Sequence, residues 1–313
     1  MSISTTPQAE QPSPVAASTL FTSDELVQIN EQLAGKSPQQ ILEWAIDNIP
    51  EGALWQTTAF GLTGLAATSM ISSISLSRDE PHLVPLIFLD TLYHFPSTLA
   101  LASQVEETYL APLHVFKPVD QEGNEVEDAK AFEQVYGEKL WEREEDMYDY
   151  LVKVEPSHRA YAQLGVKAVL TGRRRSQGAE RAALPVVEID STGLLKINPL
   201  IEWSFGRVKE YIDAENVPYN FLLDQGYKSI GDWHSTATPS SNPEAGERSG
   251  RWAGQKAKTE CGLHKDYFKM KKQFEKKARE AELKRKDEAK DLEEGAVKVE
   301  EVEISQSLAG LVI

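Results

Sequence analysis

The only cysteine of the chain lies among polar and basic residues, in the segment KTECGLHKD at positions 258–266. A free cysteine most often serves as a small apolar filler of the core. Here Lys258, His264 and Lys265 flank Cys261, and nearby cations lower the pKa of a thiol and raise its thiolate fraction. Because the thiolate is the nucleophilic form, the segment indicates a cysteine that takes part in covalent catalysis.

Four arginines form the main basic cluster of an acidic chain, in which 33 Lys and Arg against 49 Asp and Glu give a net charge of −16. Arg173, Arg174, Arg175 and Arg181 lie in TGRRRSQGAER, residues 171–181, directly after an apolar run that predicts a strand. A solvated basic loop is the simpler alternative. Guanidinium groups match phosphate and sulfate oxygens, and α/β sheets bind ligands at the carboxyl ends of their strands. The position therefore favours a site for a small, multiply charged anion.

A second feature that suits an anion is the segment WQTTAFGLTG, residues 55–64. A predicted strand runs into Thr57 and Thr58, and Gly61 and Gly64 precede or open a helix. Backbone N–H groups at the start of that helix, together with the threonine hydroxyls, can hold a phosphate. GxxG after a strand is common, so this motif alone indicates little.

Several other chemistries lack the residues that they need. A single cysteine excludes an intramolecular disulfide, a CxxC redox pair, a cysteine-rich zinc site and a Cys-ligated iron–sulfur cluster. The six histidines include no pair spaced as helical metal ligands, and there is no GxSxG, HExxH or Walker lysine. We therefore expect no bound cofactor and no metal. The acidic net charge argues against a nucleic acid or an anionic membrane as partner.

The sequence favours a cytoplasmic protein. The first 35 residues contain no Lys or Arg, unlike secretory or mitochondrial presequences, and one thiol suits a reducing compartment. Residues 52–77 carry no charge and are long enough to span a membrane. Their Gly, Ser and Thr content instead favours a buried strand, a glycine turn and a helix.

The elements that must position these residues alternate between strands and helices. Asp90 ends one strand, where it fits a turn cap as well as a ligand contact. Helices are predicted to begin after Thr22 and Ser37, to run to Ser77 and to span 96–109 and 205–216; strands are predicted at 54–60, 83–90, 113–118, 167–172, 185–190 and 194–199, the last two as a hairpin. This alternation predicts an α/β fold, a doubly wound parallel sheet wrapped by helices.

Composition divides the chain into four parts. Residues 1–20 are rich in Ser, Thr, Gln and Pro and predict a disordered arm, and residues 21–235 predict the α/β domain. Gly, Ser, Thr and Pro dominate residues 229–254, so we expect residues 236–268 to be a mobile C-terminal segment that carries the cysteine. Residues 269–313 predict a charged tail, helical or disordered.

Taken together, these segments resemble the thioredoxin-dependent phosphoadenylyl-sulfate reductases of assimilatory sulfate reduction, in their fungal form. The resemblance spans about residues 40–267. The segments that carry it are the modified pyrophosphate loop at 57–64, FLDTLYHFP (88–96), YGEKLWE (136–142), KVEPSHRA (153–160), TGRRRSQG, NPLIEWS (198–204), GYKSIGDWHST (226–236) and ECGLH (260–264).

The resemblance implies a sheet of the adenine-nucleotide alpha-hydrolase (PP-loop) type that binds 3′-phosphoadenylyl sulfate (PAPS) and releases sulfite and adenosine 3′,5′-bisphosphate. It implies that Cys261 is the nucleophile, with His264 in the same catalytic motif. The residues that it places around the substrate are Thr57, Thr58, Phe60, Gly61, Asp90, Thr91, Lys153, Arg159, Arg173, Arg174, Arg175, Ser176, Gln177, Arg181, Asp232, His234, Arg251 and Lys258.

The mechanism implied by the resemblance is a cysteine S-sulfonate that a second thiol resolves. The chain has no second cysteine, so the reductant must come from outside, as reduced thioredoxin or glutaredoxin would supply it. The family is often homodimeric, which predicts a homodimer here.

Two alternatives stay open on the residues, and a third lacks the loop that it needs. Adenylyl-sulfate reductases generally carry further cysteines for an iron–sulfur cluster; those are absent, yet a cluster-free enzyme acting on adenylyl sulfate is conceivable. A non-catalytic PAPS-binding sensor would keep the pocket without the chemistry. An adenylating relative would need an SGGxDS-type loop, which TTAFGLTG lacks.

Overall fold

The fold is built on one sheet, parallel except at one edge. The structure is a computed structural model and describes residues 20–237, 250, 263, 266–280 and 283, with the backbone alone at 179 and 180. The strands of this sheet are β1 (Leu54–Thr58), β2 (Leu86–Leu89), β3 (Leu113–Phe116), β4 (Ala168–Leu170), β5 (Val187–Ile189) and β6 (Leu195–Ile197). Their order is β3-β2-β1-β4-β6-β5, with β5 antiparallel to β6.

The strand order reverses at β1. The chain steps outward from β1 to β2 and β3, then returns and adds β4 on the other side of β1. In open α/β sheets, ligands bind at the carboxyl ends of the strands where this reversal occurs. The topology therefore predicts a ligand site at the carboxyl ends of β1 and β4.

Helices cover both faces of the sheet. They are α1 (Ser23–Leu33), α2 (Pro38–Asn48), α3 (Leu62–Ser77), α4 (Pro96–Tyr109), α5 (Ala129–Tyr136), α6 (Leu140–Arg143), α7 (Glu145–Asp149), α8 (Glu155–Leu164) and α9 (Phe205–Ala214), with a π-helical turn over Tyr150–Val154. Short 3₁₀ turns occupy Arg175–Gln177, Ala179–Ala183, Phe221–Leu223 and Trp233–Ser235.

Two cores form because side chains alternate between the faces of each strand. Leu54 of β1 and Leu195 of β6 belong to a large core that α1 to α4 and α9 share. Trp55 of β1 and Val169 of β4 point the other way, into a smaller core with Ala160 of α8. The predicted doubly wound α/β arrangement is confirmed.

The predicted helix starts are confirmed by their caps. The Ser37 hydroxyl accepts a hydrogen bond from the Gln40 N–H at 3.2 Å, and Pro38 takes the first helical position. Thr22 caps α1 in the same way, accepting from the Glu25 N–H at 3.3 Å. Proline fits there because the first N–H groups of a helix have no partner within it.

The predicted strands and the hairpin are also present, and each strand is shorter than its predicted range. β1 ends at Thr58, two residues before the predicted end. Phe60 has a φ of 54°, which is left-handed backbone that a strand does not accommodate. The chain turns there and enters α3 at Leu62.

Contacts divide the chain into two units, residues 1–264 and 265–313. The described part of the second unit contains a helix over residues 267–280. In the described ranges, no helix combines the length and the apolarity needed to cross a bilayer. The predicted boundaries of the arm, the mobile segment and the tail stay predictions.

Candidate active site

Two cavities lie at the carboxyl ends of β1 and β4. The larger cavity has a volume of about 200 Å³ and the smaller about 80 Å³; Thr57 and Gly172 line both. The larger cavity is lined by Thr57, Thr58, Ala59, Phe60, Gly61, Leu62, Thr63, Gly64, Thr98, Gly172, Arg174, Gln177, Phe205, Asn220, Leu223, Lys228, Ser229 and Ile230. The smaller cavity is lined by Thr57, Ser157, His158, Tyr161, Val169, Leu170, Thr171, Gly172, Asp190, Leu194, Lys196 and Leu263.

The loop between β1 and α3 forms one wall of the larger cavity, as the sequence predicted. The buried Thr58 hydroxyl accepts a hydrogen bond from the Phe60 N–H at 2.9 Å and so holds the left-handed turn. A Cβ on Gly64 would come within 3.2 Å of that hydroxyl, which explains why a glycine opens the helix here. Gly61 to Gly64 thus bring the start of α3, with its N–H groups and positive dipole end, to the cavity.

Arg174 is the predicted arginine that reaches the larger cavity. Its side chain is 1 % exposed. Its guanidinium donates to the Thr63 hydroxyl at 3.0 Å, to the Ser176 hydroxyl at 2.8 Å and to the Trp203 carbonyl at 3.0 Å. Gln177 also lines the cavity and accepts from the Arg174 N–H at 3.1 Å. The arginine is therefore fixed in place before any ligand binds.

Four other predicted arginines, among the described residues, lie outside the linings of both cavities and contact carboxylates or polar groups. Arg173 pairs with Glu188 at 2.6 Å, and Arg175 pairs with Glu202. The Arg159 guanidinium pairs with Glu155 at 3.0 Å. Arg181 donates to Gln177. Direct substrate contact by these four residues stays a prediction.

A buried polar cluster contains four more of the predicted residues. We define the Asp232 cluster as Thr91, Tyr148, Asp149, Lys153, Asp232 and His234. Asp232 accepts from the Thr91 hydroxyl at 2.6 Å and from the Lys153 ammonium at 2.9 Å. Lys153 also pairs with Asp149 at 3.1 Å. The cluster thus neutralises Lys153 with two carboxylates.

The remaining contacts of the Asp232 cluster join three stretches of chain that are distant in sequence. Tyr148 donates to Asp232 at 3.2 Å and contacts the His234 ring nitrogen at 2.9 Å, while His234 stacks on Trp141. Burial raises the pKa of the Asp232 carboxyl, but Lys153, His94 and the hydrogen bonds from Thr91 and Lys153 together hold that pKa well below its usual range. Asp232 is therefore ionised at neutral pH.

Asp90 caps a turn next to this cluster. Its carboxylate accepts from the Leu92 N–H at 2.9 Å, and Leu92 has a φ of 69°. The sequence is compatible with two roles for Asp90, a turn cap and a ligand contact. In the structure Asp90 is a turn cap.

Cys261, His264, Arg251 and Lys258 lie outside the described residues. Leu263 of the same motif is described. It lines the smaller cavity and packs on the core that contains Trp55 and Val169.

Sequence reasoning missed polar residues in both cavities. In the larger cavity these are Thr98, Asn220, Lys228 and Ser229, and the Asn220 amide donates to the Thr98 hydroxyl at 3.1 Å. In the smaller cavity they are Ser157, His158, Tyr161, Asp190 and Lys196. One signal was available: the lysine in LLKINP interrupts an apolar strand. Among the described residues, no group of three or more His, Cys, Asp or Glu could hold a metal.

Comparisons with known proteins agree with this geometry. A family model described as the phosphoadenosine phosphosulfate reductase domain matches residues 53–238. The phosphoadenosine phosphosulfate reductase of Saccharomyces cerevisiae is 51% identical over 251 residues, covering 78% of this chain and 91% of that protein. That of Emericella nidulans is 51% identical over 246 residues, covering 78% and 76%. A crystal structure of phosphoadenylyl-sulfate reductase from Candida auris, as a phosphate complex, superposes with a TM-score of 0.61 at 50% identity, covering 69% of this chain and 98% of that one.

Proposed function

The chain belongs to the phosphoadenosine phosphosulfate reductase family, and on that premise we propose that it reduces PAPS to sulfite and releases adenosine 3′,5′-bisphosphate. The observation that carries this proposal is the charge of the larger cavity. Its described lining includes two cations, Arg174 and Lys228, and no carboxylate, in a chain of net charge −16. Such a site concentrates a small polyanion on an otherwise repulsive surface.

The nucleotide occupies the larger cavity in this proposal. The start of α3, the Thr57 and Thr58 hydroxyls and Arg174 surround a phosphate at the end where the two cavities meet. Thr57 and Gly172 form that junction. The group beyond the 5′-phosphate, which is the sulfonyl group of PAPS, then enters the smaller cavity.

Cys261 attacks this sulfonyl group. The family resemblance assigns the attack to Cys261, which precedes Leu263 by two residues in the sequence, and Leu263 lines the smaller cavity. The thiolate sulfur forms a bond to the sulfonyl sulfur, the bond from that sulfur to the 5′-phosphate oxygen breaks, and the electron pair leaves with the oxygen. The products are an S-sulfonate on Cys261 and adenosine 3′,5′-bisphosphate.

Release of sulfite needs two electrons from a dithiol. A thiolate of the reductant attacks the Cys261 sulfur and expels sulfite, leaving a mixed disulfide that the second thiol of the reductant resolves. The chain contains one cysteine, so thioredoxin or glutaredoxin supplies both thiols. The same need for a reduced thiol favours the cytoplasm. We retain the homodimer as a prediction of the family resemblance.

The other predicted site residues have two kinds of role in this proposal. Arg251, Lys258 and His264 act near Cys261, in the part of the chain outside the described residues. Lys153 and Asp232 bind each other at 2.9 Å, which supports a positioning role for the Asp232 cluster instead of direct contact with the substrate.

The proposal is tested by mass spectrometry of the reduced protein after incubation with PAPS or with adenylyl sulfate, in the absence of any reductant. We expect one SO₃ group on the Cys261 peptide with PAPS alone, lost again when thioredoxin is added. The Cys261→Ser variant should bind nucleotide and gain no adduct. An adduct with both nucleotides would overturn the substrate assignment. No adduct with either, in protein that binds nucleotide, would support the sensor alternative instead.

A further inference from the structure

Lys196 occupies a strand position where an apolar residue is expected. It is the middle residue of β6, and its neighbours Leu195 and Ile197 point into the large core. Its own side chain lies on the opposite face, in register with Val169 of β4, which is itself in register with Trp55 of β1. That side chain is 11 % exposed. A lysine is rarely buried this far unless it is paired.

Asp190 is the partner of this lysine. The Asp190 Oδ2 atom lies 2.8 Å from the Lys196 ammonium. Its other oxygen, Oδ1, accepts from the Thr192 N–H at 2.9 Å, the Thr192 hydroxyl at 2.6 Å and the Leu194 N–H at 3.2 Å, and so holds the turn of the β5–β6 hairpin. Burial raises the pKa of Asp190, but the Lys196 charge and these hydrogen bonds keep it below its usual value. Asp190 is therefore ionised at neutral pH.

The pairing leaves the ammonium with capacity for a ligand. An ammonium has three N–H donors. Within the described ranges, the structure gives the Lys196 side chain one ionic partner, Asp190. Asp190 in turn is anchored by the hairpin, so the lysine is held against a fixed carboxylate.

The surroundings of Lys196 suit a small oxyanion. The Thr57 hydroxyl and the Tyr161 hydroxyl lie 3.0 Å apart at the wall of the smaller cavity. Burial raises the pKa of Tyr161 to about 12, so its hydroxyl keeps a proton to donate. The cavity volume of about 80 Å³ is several times the roughly 10–15 Å³ that one water needs on the same measure, so the cavity has room for a small group.

We propose that the smaller cavity is the subsite for the sulfonyl group and that Lys196 contacts its oxygens, with Asp190 as the positioning residue. This inference rests on the proposed function. In the step described above, the three sulfonyl oxygens stay on sulfur while the S–S bond forms and the S–O bond breaks. A cation at these oxygens therefore acts on PAPS and on the S-sulfonate. Adenosine 3′,5′-bisphosphate has no sulfonyl group and does not reach Lys196.

The alternative is that Lys196 and Asp190 only join the two strands of the hairpin. The two roles differ in which ligand they affect. A lysine that only stabilises the hairpin alters the binding of PAPS and of adenosine 3′,5′-bisphosphate alike. A lysine in the sulfonyl subsite alters only the reaction of PAPS.

The experiment uses Lys196→Met, Lys196→Arg and the double variant Asp190→Asn with Lys196→Met, in the full chain. The double variant removes both charges and so avoids the unpaired buried carboxylate that could impair folding. Lys167→Met, at the amino end of β4 and away from both cavities, is the matched control. Calorimetry gives the affinity for adenosine 3′,5′-bisphosphate, and quenched reactions with PAPS followed by mass spectrometry give the rate of Cys261 sulfonation.

We expect the Lys196→Met and double variants to sulfonate Cys261 about 100-fold more slowly, the loss typical of removing one oxyanion donor. Their affinity for adenosine 3′,5′-bisphosphate should stay within about twofold of wild type, Lys196→Arg should recover most of the rate, and Lys167→Met should match wild type. The assignment would be overturned if the double variant sulfonated Cys261 at the wild-type rate. It would also be overturned if the affinity for adenosine 3′,5′-bisphosphate fell by the same factor as the sulfonation rate. If the proposed function itself is wrong, the wild-type protein forms no adduct. That result differs from any effect of the Lys196 variants.

Discussion

Lys228 and Arg174 bring positive charge to the larger cavity from different parts of the chain. Arg174 is held by Thr63 of α3, close to the junction where the 5′-phosphate is proposed to lie. Lys228 belongs to the irregular segment that also contributes Ser229 and Ile230 to the lining. With the 5′-phosphate placed at the junction, we predict that Lys228 contacts the 3′-phosphate, which distinguishes PAPS from adenylyl sulfate.

We predict that Lys228→Gln weakens binding of adenosine 3′,5′-bisphosphate by about 10- to 100-fold, as expected for one charge-assisted hydrogen bond. Binding of adenosine 5′-monophosphate should change little, because it lacks the 3′-phosphate. Calorimetry with both ligands measures the two affinities. Lys209→Gln, on the exposed side of α9 and paired with Asp213, is the control. An equal loss of affinity for the two ligands would show that Lys228 does not bind the 3′-phosphate.

At the scale of elements, the Asp232 cluster joins the loop after β2, the π-helical turn and the segment 231–236. Thr91, Lys153 and Asp232 supply one contact point from each. A further hydrogen bond from the Trp233 N–H to the Tyr93 carbonyl, at 2.8 Å, holds the same junction. The segment 231–236 begins the stretch of sequence that leads to Cys261, so this cluster fixes one end of that stretch.

We predict that Asp232→Asn lowers the free energy of unfolding by about 3 kcal/mol at pH 7, as expected when one partner of a buried ion pair is lost. The folded pKa of Asp232 lies below the value of about 3.9 for an unfolded chain, so its contribution is full at neutral pH. That contribution is lost as the pH falls from about 5 towards the folded pKa.

Urea denaturation at several pH values between 7 and 3 tests this prediction. The difference between wild type and Asp232→Asn should shrink on acidification. Asp47→Asn removes an exposed pair with Arg78 and should cost less than about 1 kcal/mol at any of these pH values. A difference that stays constant from pH 7 to pH 3 would contradict an ionised Asp232 in the folded protein.

Periodicity and capping residues were enough to predict the six strands and helices α1 to α4 and α9, but not the individual helices between residues 129 and 164 or the partners of the charged residues. The alternation of strands and helices and caps such as Ser37 depend on nearby residues, so sequence alone predicts them. The pair of Arg175 with Glu202 joins residues 27 apart, and that of Lys153 with Asp232 joins residues 79 apart. Only the folded topology brings such groups together. For this reason the sequence suggested more unpaired positive charge than the structure shows at Arg173 and Arg175.

At the scale of the whole molecule, the count of one cysteine determines how the reaction can end. In the proposed mechanism Cys261 accepts a sulfonyl group from PAPS, and the chain has no second thiol that could expel sulfite from the adduct. Every turnover therefore requires a second protein, or a small thiol, to reach the Cys261 sulfur. The acidic surface, with its net charge of −16, limits which partners can approach at low salt.

We predict that the S-sulfonated protein forms a trapped mixed disulfide with a thioredoxin variant that keeps its attacking cysteine but lacks the resolving one. The first thiolate expels sulfite and stays bound to the Cys261 sulfur, because no other thiol in either protein can release it. Non-reducing electrophoresis and peptide mass spectrometry identify the linkage, and sulfite is measured in the same samples. Protein that has not been sulfonated, and the Cys261→Ser variant, should give no cross-link. Transfer of the SO₃ group to the thioredoxin cysteine, with neither sulfite nor a cross-link, would mean that the reductant attacks the sulfonyl sulfur instead of the Cys261 sulfur, and would overturn this order of steps.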